Sequence, residues 1–469
     1  MGAPLTEAVV RFLERGRDAI LERLKAVLRM PSVSTDPAYA EGMVAARQFF
    51  MDRLTAAGLR DVQLLDGGGQ PAVYGAWDGA PGAPTLIVYG HYDVQPPEPL
   101  ELWKSPPFEP TIRDGRLYAR GASDVKGSTM IAIETVAAFL AVDGRCPVNV
   151  RFFIEGEEEI GSPSLHKIVG RHRGLLAADA MISADGGRAS NQVPTLSTGS
   201  RGIAKLDVSV RTASKDLHSG RYGGAVRNAL HELAALMASL HDADGRIAVS
   251  EYLASAPELT AQQRADAAAL AMDERAFYAE MDGAAYGDPN YSLRERLTLR
   301  PTIEINGMWG GYTGPGSKTV IPCQATAKLT MRLVPGQSPA AAIDAVRRHL
   351  EAQCRDGVEL TFSNMDGGAP AASLEEGHPL LVAADAVLQR TTGRRPVRAR
   401  LGSSIPITAI FKETLGLDTL TFGLASPDDD VHAPNEFFRL TSLAEGLELW
   451  PRLLAELARF KPEEFRRSA

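Results

Sequence analysis

The chain has 469 residues, a length for two or three domains. Hydrophobic residues make up 44% and charged residues 23%, which excludes a disordered chain and is enough for a sizeable core. With 50 basic and 58 acidic residues the formal net charge is −8, and this disfavours a nucleic-acid partner.

Residues 4–30 and 40–58 carry apolar side chains at helical spacing, so two helices open the chain. Thr85–Tyr89 then reads as a buried strand, Gly127–Leu140 as a helix and Val148–Ile154 as a strand. Ser164–Arg173 follows as a helix and Ala180–Ser183 as a strand. Strands alternating with helices predict an α/β layer with a mainly parallel sheet. After about residue 200 the pattern changes: Ile203–Arg211 alternates as a half-buried strand, and Ala225–Leu240 reads as a helix. Strands around Thr302–Ile305 and Ala325–Leu333, a helix at Ala340–Ala352 and a strand at Val358–Phe362 complete a β-α-β-β-α-β order, the ferredoxin-like unit. Residues 250–298 form a mostly helical insertion within it. From about 378 the α/β pattern returns, ending in helical spacing over Leu443–Phe460, which Pro451 is expected to kink or split. The predicted organisation is one domain made of 1–198 and 378–469, with a second domain, 199–377, inserted in it.

Cys146, Cys323 and Cys354 are far apart and odd in number, which argues against a disulfide framework or a cysteine-ligated zinc. A reducing compartment fits best. No apolar run is seen to approach the ~20 residues of a membrane span. The N-terminus lacks a basic-then-apolar signal pattern. The expectation is a cytoplasmic protein with no membrane partner.

Five strand-end or loop segments are rich in metal-ligating side chains. They are Gly90-His91-Tyr92-Asp93, Arg120 to Gly127 (RGASDVKG), Glu155 to Ser162 (EGEEEIGS), Ile182 to Gly187 (ISADGG) and Asp428 to Glu436 (DDDVHAPNE). Singly, each reads more often as structure than as function. Together they fit one sheet edge, where open α/β sheets build their sites. Four glutamates within five residues, just after an apolar strand, repel one another unless cations neutralise them. Of two adjacent glutamates, one can hold a metal and the other act as general base. Oxygen and imidazole donors without thiolates suit zinc, manganese or cobalt.

With these motifs together and in order, the chain resembles the di-zinc metallopeptidases. That family includes carnosine-type dipeptidases, aminoacylases, succinyl-diaminopimelate desuccinylases and glutamate carboxypeptidases. DLHSG, GSKTVIP, MRLVP and GSSIP are most similar to the carnosinase-like dipeptidases. The resemblance implies a zinc-exopeptidase-like catalytic domain and an inserted lid or dimerisation domain, with a homodimer formed through the insertion. It implies two divalent ions, zinc first, with manganese or cobalt as alternatives. By it, His91 and Asp185 hold one metal, Glu159 and His432 the other, and Asp124 bridges them. Asp93 orients His91, and Glu158 is the general base. Glu157 is the neighbour with which Glu158 is most easily confused. On spacing alone His218 is a turn histidine and Arg332 a solvent-facing strand residue. The resemblance instead makes His218 an oxyanion donor, from the same chain or across a dimer interface, and Arg332 the grip on a substrate carboxylate. Thr319 and Ser404 assist, with Ser403 the alternative to Ser404. It also implies a cis peptide after Asp124. The implied activity is hydrolysis of dipeptides or similar small amides bearing a free carboxylate. An N-acyl-amino-acid amidohydrolase is the near alternative, and an inactive metal-binding scaffold the distant one.

Overall fold

A computed structural model describes residues 3–365, 368–404 and 406–466. The chain divides into two compact units. The first comprises Met1–Thr198, Leu374–Ala399 and Pro406–Ala469, and the second Gly199–Ser373 and Arg400–Ile405. The expected division at 377/378 therefore needs two changes: the chain returns to the first unit at Leu374, and a short later segment belongs to the second. That segment is held by its own bonds. Arg201 donates from its backbone N to Leu401 O and from Nε to Gly402 O, and Arg332 donates to Ser404.

The first unit is built on a mixed six-stranded sheet. Its order is Arg60–Leu65, Ala72–Trp77, Asn149–Glu155, Thr85–His91, Ala180–Ser183, Thr419–Thr421. The last four run parallel to one another, while the first two add antiparallel at one edge. Sequence patterning passed over this edge hairpin. In Arg60–Leu65 only Leu65 is buried, so no apolar face marks the strand. It also passed over Thr419–Thr421, whose three residues are too few to show a period.

The core of this unit packs Ala3–Leu28, Ala40–Ala56, Gly127–Asp143, Pro379–Thr392 and Leu440–Leu457 around the sheet. Gly127–Asp143 is apolar on nearly every side because it is buried on nearly every side. Ala122–Asp143 is in fact long and apolar enough to cross a bilayer by length and composition, contrary to the sequence expectation, yet most of it is buried in this core. Leu440–Leu457 is not split at Pro451. Leu443 and Leu447 before the proline, and Leu453, Leu454 and Leu457 after it, are all buried. Packing on both sides outweighs the one lost backbone bond.

The second unit carries an antiparallel sheet in the order Thr302–Gly310, Gln324–Leu333, Gly202–Arg211, Glu359–Ser363. Ala229–Ala238 and Pro339–Gln353 bury their apolar faces with it. This is the ferredoxin-like arrangement. Gly202–Arg211 alternates buried and more exposed residues along its length, as a strand covered on one face must. The strand expected at Thr302–Ile305 runs on to Gly310. The 250–298 insertion holds four short helices, Ser250–Ala254, Ala261–Ala269, Glu274–Glu280 and Leu293–Thr298.

One ion-pair cluster ties the opening helices to the core. Glu134, on the buried helix, accepts two hydrogen bonds from Arg23 and two from Arg53. Its side chain is 4% exposed. Glu134→Ala leaves Arg53 without its partner. The expected cost is about 2–3 kcal/mol, below that of a fully buried pair, because Arg23 is 36% exposed. Thermal unfolding measures it, and an unchanged midpoint contradicts it.

Candidate metal centre

Parallel register brings the functional loops of the first unit together. His91 lies opposite Glu155, Tyr89 opposite Ser183, and Ser183 opposite Thr421. The four strands end at one level, and the loops leaving their carboxyl ends start side by side. Gly90 lets the buried helix approach, since a Cβ there would lie 2.3 Å from Thr129 Oγ1. The loop at the head of that helix carries Asp124, and the Asp124–Val125 peptide is cis.

The Asp124 carboxylate lies between two imidazoles. Its Oδ1 is 3.1 Å from His91 Nε2 and its Oδ2 is 2.8 Å from His432 Nε2. On the His91 side, Asp185 Oδ2 is 3.9 Å from the same Nε2. On the His432 side, Glu159 Oε2 is 3.2 Å from that ring's Nε2. The donor atoms of His91, Asp124 and Glu159 all lie within 4.8 Å of one another. Each imidazole thus has its own carboxylate, and Asp124 is shared.

Protons hold these charges together in the chain alone. Hydrogen bonds to Asp124 and then Glu159 push the His432 imidazole up to about 10. Burial opposes the charge on His91, yet hydrogen bonds to Asp124 and Asp93 raise it well above its ordinary value. Burial works to raise Asp124, but His432 and His91 hold it well below the usual carboxylate range. Burial pushes Asp185 up to about 8, with Asp124, Glu158 and Glu159 adding to the rise. Burial likewise pushes Glu158 up to about 7; His91 opposes this, and Glu159, Asp124 and Glu155 reinforce it. These donors suit divalent cations, which can supply the positive charge that protons supply here.

Orientation comes from residues around the donors. Asp93 is fully buried, with its carbonyl oxygen 3.1 Å and its Oδ1 3.5 Å from His91 Nδ1. Its carboxylate also accepts from the backbone N–H groups of Glu158 and Glu159. Gln95 donates to both Glu159 carboxylate oxygens, at 3.2 Å from its backbone N and 2.8 Å from Nε2. Sequence reasoning missed Gln95, although it stands two residues after Asp93.

The glutamate cluster separates into distinct environments. Tyr89 Oη donates to Glu155 at 2.6 Å. Glu157 accepts from Gln70 N and Ser164 N, which turns its carboxylate into a loop anchor. Among the described residues the Glu158 carboxylate accepts no hydrogen bond, so it is the one left to work as a base.

The remaining sequence-derived candidates lie in the second unit. His218 is exposed, and Leu217–His218 pairs with Val320–Ile321, next to Thr319. Its Nδ1 accepts from Gly220 N at 3.1 Å, which leaves Nε2 to carry the proton of the neutral ring. Thr319 is exposed too, and its carbonyl accepts from Ser219 N. Arg332 Nη1 donates to Ser404 Oγ at 2.9 Å, whereas Ser403 is exposed. Burial pulls the nearby Arg201 guanidinium down to about 10, and the charge of Arg332 adds to this.

A stability change with pH follows. Glu158 and Asp185 have ordinary values of 4.5 and 3.8, and in the fold they keep protons up to about 7 and 8. Their contribution is fully present below the ordinary values and is lost as pH rises through the folded ones. Cations beside these carboxyls would favour their ionised forms, so Zn2+ or Mn2+ should raise the thermal midpoint more at pH 8 than at pH 5. Equal gains at the two pH values contradict this.

Comparison with known proteins finds a family and several relatives. A model of the "Peptidase family M20/M25/M40" matches residues 87–456. The Cys-Gly metallodipeptidase dug1 of Schizosaccharomyces pombe is 29% identical, over 97% of this chain and 99% of that protein. The crystal structure of human carnosine dipeptidase 1 is 29% identical, with a TM-score of 0.73, covering 97% of this chain and 99% of that one. The M20 family metallo-carboxypeptidase Sso-CP2 from Sulfolobus solfataricus is 28% identical, with a TM-score of 0.75, covering 94% and 99%.

Proposed function

Because this chain belongs to the M20/M25/M40 peptidase family, we propose that it is a metal-dependent dipeptidase whose centre is the Asp124 cluster. The observation that carries this is the Asp124 carboxylate between His91 and His432, with Asp185 and Glu159 on the two sides. The reaction is hydrolysis of the peptide bond of dipeptides or similar small amides with a free carboxylate.

His91 and Asp185 would hold one divalent ion, Glu159 and His432 a second, with Asp124 shared. Zinc is the first choice and manganese or cobalt the alternatives, on the chemistry of the donors. When bound, the ions acidify water, polarise the scissile carbonyl and stabilise the developing oxyanion. Glu158 takes the water's proton and passes it to the leaving amine, a role that suits a carboxyl to which no hydrogen bond is made among the described residues. Asp93 keeps His91 in place and fixes the backbone of Glu158 and Glu159. Arg332, steadied by Ser404, offers a guanidinium fork suited to a carboxylate. His218, with its proton on Nε2, is assigned to the carbonyl oxygen, and Thr319 assists.

Amino-acid release from matched panels of dipeptides and N-acyl amino acids tests the reading. Cleavage of dipeptides that a chelator abolishes is expected. Cleavage confined to N-acyl substrates would make the protein an amidohydrolase, and metal binding without any cleavage would make it a scaffold. Glu158→Gln should lower kcat by about 10²–10⁴-fold while metal content is unchanged. Full turnover in that variant would remove Glu158 from its role.

A homodimer through the second unit, in the cytoplasm, is part of the same reading. Thr302–Gly310 is an edge strand, paired on one side by Gln324–Leu333. On it and just beyond it, Ile305, Met308, Trp309 and Tyr312 are exposed, an edge of the kind proteins usually cover. The three cysteines are free, as a reducing compartment requires. Sedimentation should show a dimer, and Met308→Lys with Trp309→Glu should shift it to monomer. A monomeric unsubstituted protein contradicts this part alone.

A further inference from the structure

Glu436 has no place in the hydrolytic scheme, yet its side chain is 0% exposed. Its carboxylate accepts four hydrogen bonds, and every donor lies in the segment that carries Asp124. Oε1 takes Ser123 N at 2.9 Å and Asp124 N at 3.1 Å. Oε2 takes Gly121 N at 3.0 Å and Arg120 Nη1 at 2.6 Å. Its backbone carbonyl accepts from Ala119 N as well. A carboxylate has about four acceptor positions, and all are used here.

The same residue ends the loop that carries His432. Only Ala433, Pro434 and Asn435 separate the two. That loop is not in a conformation local preference would choose: Asp430, His432 and Asn435 have φ of 52°, 65° and 67°. It is held by contacts at both ends. Asp429, also buried, accepts from Ser123 Oγ at 2.8 Å and Ser426 N at 2.7 Å, and pairs with Arg439. Asn435 accepts from Lys104 N and donates to Leu102 O.

We propose that Glu436 is a positioning residue for the metal centre: its buried carboxylate sets where Asp124 stands relative to His432. The inference rests on the two-cation reading of the Asp124 cluster. Asp124 and His432 lie on segments separated by some three hundred residues of chain, yet they must face each other within a hydrogen bond's length. Their own side chains cannot secure that, because cations would take the place of their direct contact. Glu436 supplies it from behind, through backbone that a bound ion leaves undisturbed. Ligand supports of this kind typically change metal affinity about 10–100-fold when altered.

Two variants separate position from charge. Glu436→Gln keeps the size but turns one acceptor oxygen into a donor that faces N–H groups. Glu436→Asp keeps the charge but shortens the reach by one methylene. Zinc affinity is read by competition with a chromophoric chelator, on protein whose fold is checked by circular dichroism. Both variants should bind zinc about 10–100-fold more weakly, with kcat reduced and KM for a cleaved dipeptide nearly unchanged. A folded Glu436→Asp protein with unaltered zinc affinity would overturn the proposal, whether or not the Gln variant is impaired.

A third measurement needs no substitution, and covers the case in which removing the partner of buried Arg120 prevents folding. In the metal-free protein the amides of Gly121, Ser123 and Asp124 should exchange with solvent as slowly as sheet amides, although they lie in a loop. Fast exchange at all three would overturn the clamp. An unsubstituted protein that binds no zinc while these amides stay protected would instead defeat the two-cation reading, a result distinct from failure of the clamp.

Discussion

Carboxylates buried side by side repel one another, and the cost grows as water is removed from between them. Asp124, Glu158, Glu159 and Asp185 meet at one sheet edge, and their surroundings in the fold follow from that crowding. Hydrogen bonds to the neighbouring carboxylates raise the imidazoles of His91 and His432 above their ordinary values. Two of the carboxyls retain their protons to near neutral pH. The arrangement is one that divalent cations would complete, because each would remove several unfavourable pairings at once. Stability and ligand binding are therefore linked through the same side chains.

The scaffold brings these groups to one place by register. Four parallel strands, three of them buried along nearly their whole length, end level with one another; His91 closes one, and Glu159 and Asp185 sit in the first turns beyond two others. Asp93, Gln95 and Glu157 then fix the loops with hydrogen bonds to backbone N–H groups and side-chain oxygens. Each bond is modest singly, but each is accepted by a buried carboxylate that has few other ways to be satisfied. Glu158 opens a single 3-10 turn, Glu158–Ile160, and among the described residues its carboxylate accepts no hydrogen bond, beside neighbours that are tied.

Much of the architecture was legible in the pattern of apolar residues. Thr85–His91, Asn149–Glu155 and the helix Gly127–Asp143 have enough consecutive apolar residues to announce themselves, and Gly202–Arg211 alternates along its full length. Arg60–Leu65 and Thr419–Thr421 did not, the first because its side chains are mostly exposed and the second because it is too short. Pro451 misled in the other direction. Its local effect is real, but a row of buried leucines on both sides keeps the helix whole. The assignment of Arg400–Ile405 to the second unit has no signal in composition, since it depends on where Arg201 and Arg332 send their hydrogen bonds.

The types of donor and their order were determined by the amino-acid sequence itself, and so was the nearness of His91, Glu159 and Asp185 to strand ends, because these three stand in short motifs at the ends of apolar strands. The division of labour among neighbours was decided only by the tertiary structure. Glu157 and Glu158 are chemically identical and adjacent. They differ because Gln70 and Ser164 bring N–H groups to one and not to the other. Glu436 reads in sequence as one more acid in an acidic loop, and becomes a clamp only when the fold lays the backbone of Gly121 to Asp124 against it. A hydrogen bond is a property of two groups, and sequence shows them one at a time.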